Sequence, residues 1–600
     1  MGYFAANGST VEKPAPTTPR GRHVSVLRQL INVIGCIFII PVFYLATVQS
    51  LYPMTMDMLI NIMLTEYNRF SNEGRRLSFY STSNGSPRQN NGTVRGKADL
   101  EMQKPPSKLN CMVAVVGYRE DPELFTRALE SYKSARGHSF MIIGIDGDDA
   151  EDQDMADVFD KVYPHHSGVI HIAEPLGEIA QRVYAEHATM QQKKGLDINE
   201  DECNDIAMRH CMKVARTILD QQRFVFGGLD GIRHICLRQR HMHKKGIMFT
   251  TFIFSLIISD ILGIEFLWSS DSDTLVFEDS LERTISPIAG DASVGGASSG
   301  LTVHNGEDTI MTRLASTVYW TELYLTRSTP ACAATSDCQS GPSSAFRLSA
   351  LSGILIPWYM QRVFGKRMIV NEDRHLTTNL LVNGWGVIFA SDVLTATETP
   401  ATLTRWLRQQ VRWARATHLE SLLIPRVYAM SHPIAFYAAV RREIGPLVVA
   451  ITVLSYFFTS QKLIYFSNND LLLRIGITAM YNLMRNPDRL KLSSTVWVIP
   501  GMLFYNLPLP GLHIWSLLTL TADTWGTAMR ANGELSKKDS TRKRWFETGF
   551  FVVWMGIVGG AMARWIANEL YLSQGMRHAF MLSSILLASF SAWKTTICNE

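Results

Sequence analysis

Residues 30–50 (LINVIGCIFIIPVFYLATVQS) carry no charge, and as a helix they reach about 30 Å, the thickness of a bilayer's hydrocarbon core. Apolar runs return only after residue 430, and the stretch between is polar enough to be soluble. A chain of 600 residues built this way must fold as a water-facing domain held between membrane segments. The first run starts well inside the chain without an obvious small-residue cleavage site, so it reads as an anchor, not a removed signal peptide.

The expected organisation is a disordered tail (1–28), N-terminal transmembrane and interfacial helices (29–70), a linker (71–108), a soluble α/β domain (109–430) and C-terminal interfacial and transmembrane helices (431–600). Residues 53–66 contain Asp57 and Glu66 and read as an interfacial helix, with a second span as the alternative. In the C-terminal part, 444–462, 546–568 and 577–595 read as spans. Residues 469–486 are a weaker span containing Arg474. Residues 493–521 are apolar but broken by Pro500, Pro508 and Pro510, as in a re-entrant segment. Lys537, Lys538, Arg542, Lys543 and Arg544 precede the span at 546–568. The positive-inside rule puts them in the cytosol, and parity puts the soluble domain on the same side. A single N-terminal span would leave the basic tail outside, and a span at 53–66 would remove that conflict. The sequons at Asn7 and Asn91 do not settle it.

Within the soluble part, LNCMVAVVGY, SFMIIGID and GIEFLWSSDSD read as buried strands with helical stretches between them. This alternation predicts a mixed, mostly parallel sheet with helices on its faces, whose ligands sit beyond the carboxyl ends of the strands. Two strands end in acids, at Asp146 and at Asp271 and Asp273. Residues 186–211 read as an acidic surface excursion, and 288–305 as Gly/Ser-rich, then β-like. A net charge of +4 gives a nucleic-acid partner no electrostatic support. Eight cysteines without a C-x-x-C pair argue against a disulfide framework or a zinc site.

Three clusters carry chemistry. Asp271 and Asp273, two apart on an extended segment, point the same way and need a cation between them; a solvated strand end is the plain alternative. Asn371-Glu372-Asp373-Arg374-His375 offers a general base, or else only capping acids at a helix start. Gln409, Arg412 and Trp413 lie on neighbouring helix faces, where Arg can clamp a diphosphate and Trp can carry a sugar ring. The plain alternative there is a basic amphipathic helix on anionic lipid.

The ordered set D-x-D, Glu-Asp and Q-x-x-R-W resembles the signature of processive family-2 glycosyltransferases. Gly117-Tyr118-Arg119-Glu120-Asp121-Pro122, Ile145-Asp146-Gly147, Ser340-Gly341-Pro342, Asp373-Arg374-His375-Leu376 and Trp525-Gly526-Thr527 resemble hyaluronan synthases in particular. The resemblance implies a GT-A-type domain joined to an α-helical transmembrane region, in a multi-pass plasma-membrane enzyme with its catalytic domain in the cytosol. Its partners would be a UDP-sugar donor, a growing polysaccharide acceptor and membrane lipid, and its cofactor Mg²⁺ or Mn²⁺.

Position by position, it implies that Tyr118, Glu120 and Asp146 bind uridine. Lys245, beside Lys244, would lie near the diphosphate. Asp273 and Asp271 would hold the metal, and Asp373, with Glu372, would supply the base. Ser340 and Gly341 would border the acceptor, and Gln409, Arg412 and Trp413 would bind acceptor and diphosphate. Trp525 and Thr527 would gate the site.

Asn-Glu-Asp replaces the usual Gly-Asp-Asp, the loop around Ser340 is altered, and Ala-Met-Arg follows Thr527. These departures leave the sugar open and resemble fungal capsule- or hypha-associated relatives. Two other readings remain: a non-processive transferase acting on a lipid-linked sugar, and an inactive membrane scaffold or receptor.

Overall fold

The computed structural model describes residues 21–47, 49–83, 109–319, 323–464, 467–486, 495–522 and 541–598. Trp525, Gly526 and Thr527, the basic residues Lys537 and Lys538, and both sequons fall outside the described residues.

The centre is one nine-stranded sheet built from β1 (Cys111–Gly117), β2 (His138–Asp146), β3 (Ser167–Ile172), β4 (His234–Gln239), β5 (Phe266–Asp271), β6 (Leu275–Val276), β7 (Val294–Val303), β8 (Ser344–Arg347) and β11 (Gly386–Thr397). A short hairpin, β9 (Arg362–Val363) with β10 (Lys366–Arg367), stands apart. The spatial order is β3-β4-β2-β1-β5-β8-β7-β11-β6. Pairings among β3, β4, β2, β1 and β5 are parallel, as is β7 with β11; β8 and β6 pair antiparallel. The expected mixed, mostly parallel sheet is therefore present.

Both faces are covered. Along β1, Met112, Ala114 and Val116 enter one core and Cys111, Val113 and Val115 the other, the period-2 alternation of a strand buried on both sides. The Gly/Ser stretch at 288–305 becomes β7, a buried strand between β8 and β11. Its small residues fit because other groups press on it: a Cβ at Gly296 would lie 2.6 Å from the Gln339 side chain.

The helices that frame the site are α1 (Val26–Thr47), α2 (Pro53–Ser83), α3 (His243–Leu262), α4 (Glu372–Val382), α5 (Leu403–Leu423), α6 (Ile434–Thr459), α7 (Asn468–Arg485), α8 (Val498–Asn506), α9 (Leu509–Leu518), α10 (Thr541–Glu569) and α11 (Gln574–Trp593). Helices long and apolar enough to cross a membrane are found at Val26–Ala46, Thr541–Glu569 and Gln574–Cys598. His243–Leu262 also qualifies by composition, but it is a core helix packed on β1 and β2. Residues 498–518 form two short helices that meet at Leu507-Pro508, with Pro500 and Pro510 inside them.

One boundary differs from expectation. Helix α2 runs on to Ser83, through the segment read as the start of a linker. Its polar residues are docking groups: Asn68 and Asn72 donate to the Phe389 carbonyl at 2.9 and 2.8 Å, and Arg76 pairs with Asp392 at 2.8 Å. The polarity that resembles a linker instead satisfies exposed groups of β11.

Candidate active site

The carboxyl ends of β1, β2 and β5 lie side by side, with Val116 in register with Asp271. Asp146 ends β2 fully buried and accepts from the Met242 amide at 2.8 Å. His241 Nδ1 lies 2.8 Å from its other oxygen, and that bond raises the pKa of the imidazole. The His241 ring stacks on Tyr118 with centroids 4.2 Å apart. Tyr118, Asp146 and His241 thus form one aromatic and acidic wall, of which His241 carries no sequence motif. Arg119, between Tyr118 and Glu120, has φ 46°, a left-handed turn where β1 ends.

Asp271 and Asp273 leave β5 in the extended spacing expected. Gly117 is required beside them, because a Cβ there would lie 2.6 Å from Ser272. Ser272 donates to Glu120 at 3.0 Å, tying the ends of β1 and β5 together.

The lysine assignment needs correcting. Lys245 faces the core, fully buried, and donates to the Met368 carbonyl at 3.0 Å with its ammonium over the Trp358 ring. Burial, aided by Arg367, lowers its pKa to about 7. Lys244 is the lysine at the site, 2.7 Å from Asp271 and 3.1 Å from Glu372. Adjacent helical residues point about 100° apart, so only one of the two can face the strand ends. Burial works against its charge, but Asp271, Glu372 and Asp373 together hold its pKa above the ordinary value. Asp271 is pushed up to about 6 by burial, with Asp273 adding to the shift and Lys244 opposing it. Gly341 closes over this pair: a Cβ would meet Lys244 Nζ at 2.6 Å and Asp271 at 2.8 Å. Neighbouring Ser340 accepts from Arg327.

Asp373 lies in the first turn of α4 and accepts from the Arg374 amide at 2.7 Å. Glu372 is buried against Lys244, so of the two acids it is Asp373 that is not committed to that lysine. The helix is fixed to α5 through Glu420, which meets His375 at 3.0 Å and accepts from Asn371 at 2.7 Å. Trp358 donates to the Glu372 carbonyl at 2.7 Å from the other side. Arg374 pairs with Asp337 at 2.9 Å, and Asp337 also holds Arg442 of α6. Despite burial, the two guanidiniums keep the Asp337 carboxyl well below the usual carboxylate range.

Helix α5 is buried on most sides, including Trp406, Leu407, Gln409 and Val411. Its Arg408 pairs with Glu547 at 2.6 Å and its Arg415 donates to Thr519 at 2.7 Å. Most of the helix is therefore committed to packing within the protein. Trp413 meets Tyr319 edge-on, with centroids 6.4 Å apart.

One cavity of about 1410 Å³ joins these parts. Tyr118, Glu120, Asp146, Lys244, Asp271, Asp273, Ser340, Gly341, Glu372, Asp373, Gln409, Arg412 and Trp413 all line it. The same cavity continues between the helices, past Phe43 and Asp57, Arg441 and Arg442, Arg474 and Met502. Arg441 pairs there with Asp57 at 2.7 Å. Arg441, Arg442 and Arg474 thus line the same cavity.

Residues 268–509 match the family model described as glycosyl transferase family group 2. The chain therefore carries a family-2 glycosyltransferase domain. It is similar to hyaluronan synthase 2 of Homo sapiens, 26% identical over 358 residues, which are 59% of this chain and 58% of that protein. Hyaluronan synthase 2 of Xenopus laevis is 25% identical over 434 residues, 71% of each chain. In the first of these alignments the chain spans less than two thirds of its relative. Among solved structures, a mannosyltransferase from Pyrobaculum calidifontis in complex with GDP-Man and Mn²⁺ aligns with a TM-score of 0.33 and 12% identity, covering 74% of this chain and 97% of its own.

Proposed function

We propose that this protein is a processive, inverting glycosyltransferase that polymerises a UDP-sugar at the cytosolic face of the plasma membrane and feeds the product between its own helices. The observation that carries the reading is the shared cavity: acids, base, tryptophan and membrane helices line a single continuous space.

In this reading uridine lies against Tyr118, Glu120 and Asp146. Asp271 and Asp273 suit a hard divalent ion, since both are oxygen donors at the cavity and Asp271 is destabilised as an anion by burial and by Asp273. Asp273, the second acid of the D-x-D, is the more direct ligand. Bound there, Mg²⁺ or Mn²⁺ would offset charge on the diphosphate. Asp373 takes the proton of the acceptor hydroxyl. The freed oxygen forms a bond to the anomeric carbon as the bond to the diphosphate oxygen breaks, and UDP leaves. Lys244 and Arg412 stabilise that departing charge. A general base contributes about 10²–10⁴-fold, so orientation by the cavity walls must supply much of the rest. Trp413 holds the product end at the mouth of the helix-lined portion, which allows repeated addition without release. The resemblance of the motif set as a whole to fungal capsule- or hypha-associated synthases supports a capsule or hyphal polysaccharide as the product, with the sugar left open by the motif departures.

The test is purified full-length protein in detergent, given each common UDP-sugar with Mn²⁺, with UDP release measured and the product digested by chitinase, hyaluronidase or glucanases. Polymer sensitive to one of these enzymes is expected. A single-sugar product would favour the lipid-linked alternative, and no turnover with any donor would refute the reading.

A further inference from the structure

His418, Glu443 and His513 come from three helices, α5, α6 and α9, and meet at one point. His418 Nδ1 lies 2.6 Å from Glu443 Oε2, and His513 Nε2 lies 3.7 Å from the same oxygen. One ligand atom from each residue lies within 4.8 Å of the others. The histidine side chains are 1% and 4% exposed, and that of Glu443 is 12% exposed. His513 Nε2 and Glu443 Oε1 have no hydrogen-bond partner. A buried polar atom left in that state is destabilising, so the cluster calls for a cation.

We propose that these three side chains form a transition-metal site of the zinc class, with His418 Nδ1, a Glu443 oxygen and His513 Nε2 as ligands. Two imidazoles and one carboxylate are a three-ligand zinc set that leaves one position open. Such a site selects against Mg²⁺ and Mn²⁺, which favour all-oxygen sites such as Asp271 and Asp273. The other nitrogen of His418 is already fixed, 2.9 Å from the Ser516 hydroxyl, as metal-bound imidazoles are. Tetrahedral ligands at about 2.0–2.1 Å from zinc sit about 3.3 Å from one another, so each histidine–glutamate separation needs to shift by under about 1 Å and the histidine–histidine separation by at most about 1.5 Å. Protonated His418 would also satisfy Glu443, but it leaves His513 Nε2 without a partner. Arg442, the neighbouring cation, is engaged by Asp337. The ion would clamp α5, which carries Gln409, Arg412 and Trp413, to two helices of the membrane portion.

The test is zinc content. Full-length protein, purified in detergent without a metal-affinity step, is stripped with chelator, equilibrated with Zn²⁺ in excess Mg²⁺, desalted and analysed by mass spectrometry. Wild type and Asp273→Asn should each retain roughly one zinc per chain; His513→Ala and Glu443→Gln should lose it. Should a variant aggregate, Co²⁺ added to stripped wild type in excess Mg²⁺ decides, since four-coordinate N/O ligation gives visible d–d bands far more intense than those of octahedral oxygen sites or aqueous Co²⁺. Wild type without zinc or a cobalt spectrum, zinc retained by both variants, or zinc lost from Asp273→Asn would overturn the assignment.

Discussion

Replacing each of two adjacent lysines by methionine separates a residue that faces the cavity from one that faces the core. Lys244 ends 2.7 Å from Asp271 and 3.1 Å from Glu372, and the three side chains are 19%, 26% and 3% exposed. Losing the ammonium leaves two carboxylates without their cation. Breaking a buried pair costs about 3–5 kcal/mol, and the partial exposure of Asp271 puts this case near 3. A charge-assisted hydrogen bond to the leaving diphosphate adds a catalytic loss of about 1.5–3 kcal/mol, or roughly 10–100-fold in kcat/KM. Lys245 has one acceptor, the Met368 carbonyl, in a buried site that Arg367, Glu420 and Glu372 adjoin. Lys245→Met loses that bond but also removes a costly buried amine, so activity should stay within about threefold and the variant should be no less stable than wild type near neutral pH. Burial lowers the folded pKa of Lys245 to about 7, against about 10.4 for a free lysine. The folded protein prefers the neutral amine, so wild type loses stability relative to Lys245→Met as pH falls from about 10 toward 7. UDP release against donor concentration, with thermal unfolding at several pH values, reads both effects. Equal activity losses in the two variants, or a larger loss in Lys245→Met, would mean that Lys244 is not the lysine that serves the site.

Other substitutions test other parts. Asp373→Asn should reduce transfer at least 100-fold, the lower bound of general-base help, while UDP binding by calorimetry stays unchanged; retained turnover removes it as the base. Trp413→Ala should shorten the polymer on a sizing gel while donor affinity holds, and unchanged length counts against stacking. Asp337→Asn leaves Arg374 and Arg442 without their shared anion and should cost about 3 kcal/mol. Its thermal midpoint should therefore fall by several degrees, and an unchanged midpoint shows that the ion pairs do not hold α4 to α6.

Much of the α/β domain is written locally. Strands β1, β2 and β5 are continuous apolar runs ending in Tyr118, Asp146 and Asp271, and their alternation with helices implies the sheet. The D-x-D, Glu-Asp and Q-x-x-R-W clusters are compact in sequence, and the cavity gathers all three. Long-range pairing was not legible. Which of Lys244 and Lys245 faces the site depends on the rotation of α3, and nothing local fixes that rotation. The polar face of α2 resembles a linker until Phe389 and Asp392 are placed against it. Asp337, His241 and the His418–Glu443–His513 cluster join residues far apart in the chain, and no local pattern signals them.

The account rests on one chamber serving both the reaction and the exit of the product. The direct measurement is electron cryo-microscopy of the full-length protein in nanodiscs, frozen during turnover with its UDP-sugar. Sugar density should run from Trp413 past Arg441 and Arg474 between the helices. Density that ends at the carboxyl edge of the sheet, or leaves along the protein surface, would contradict it.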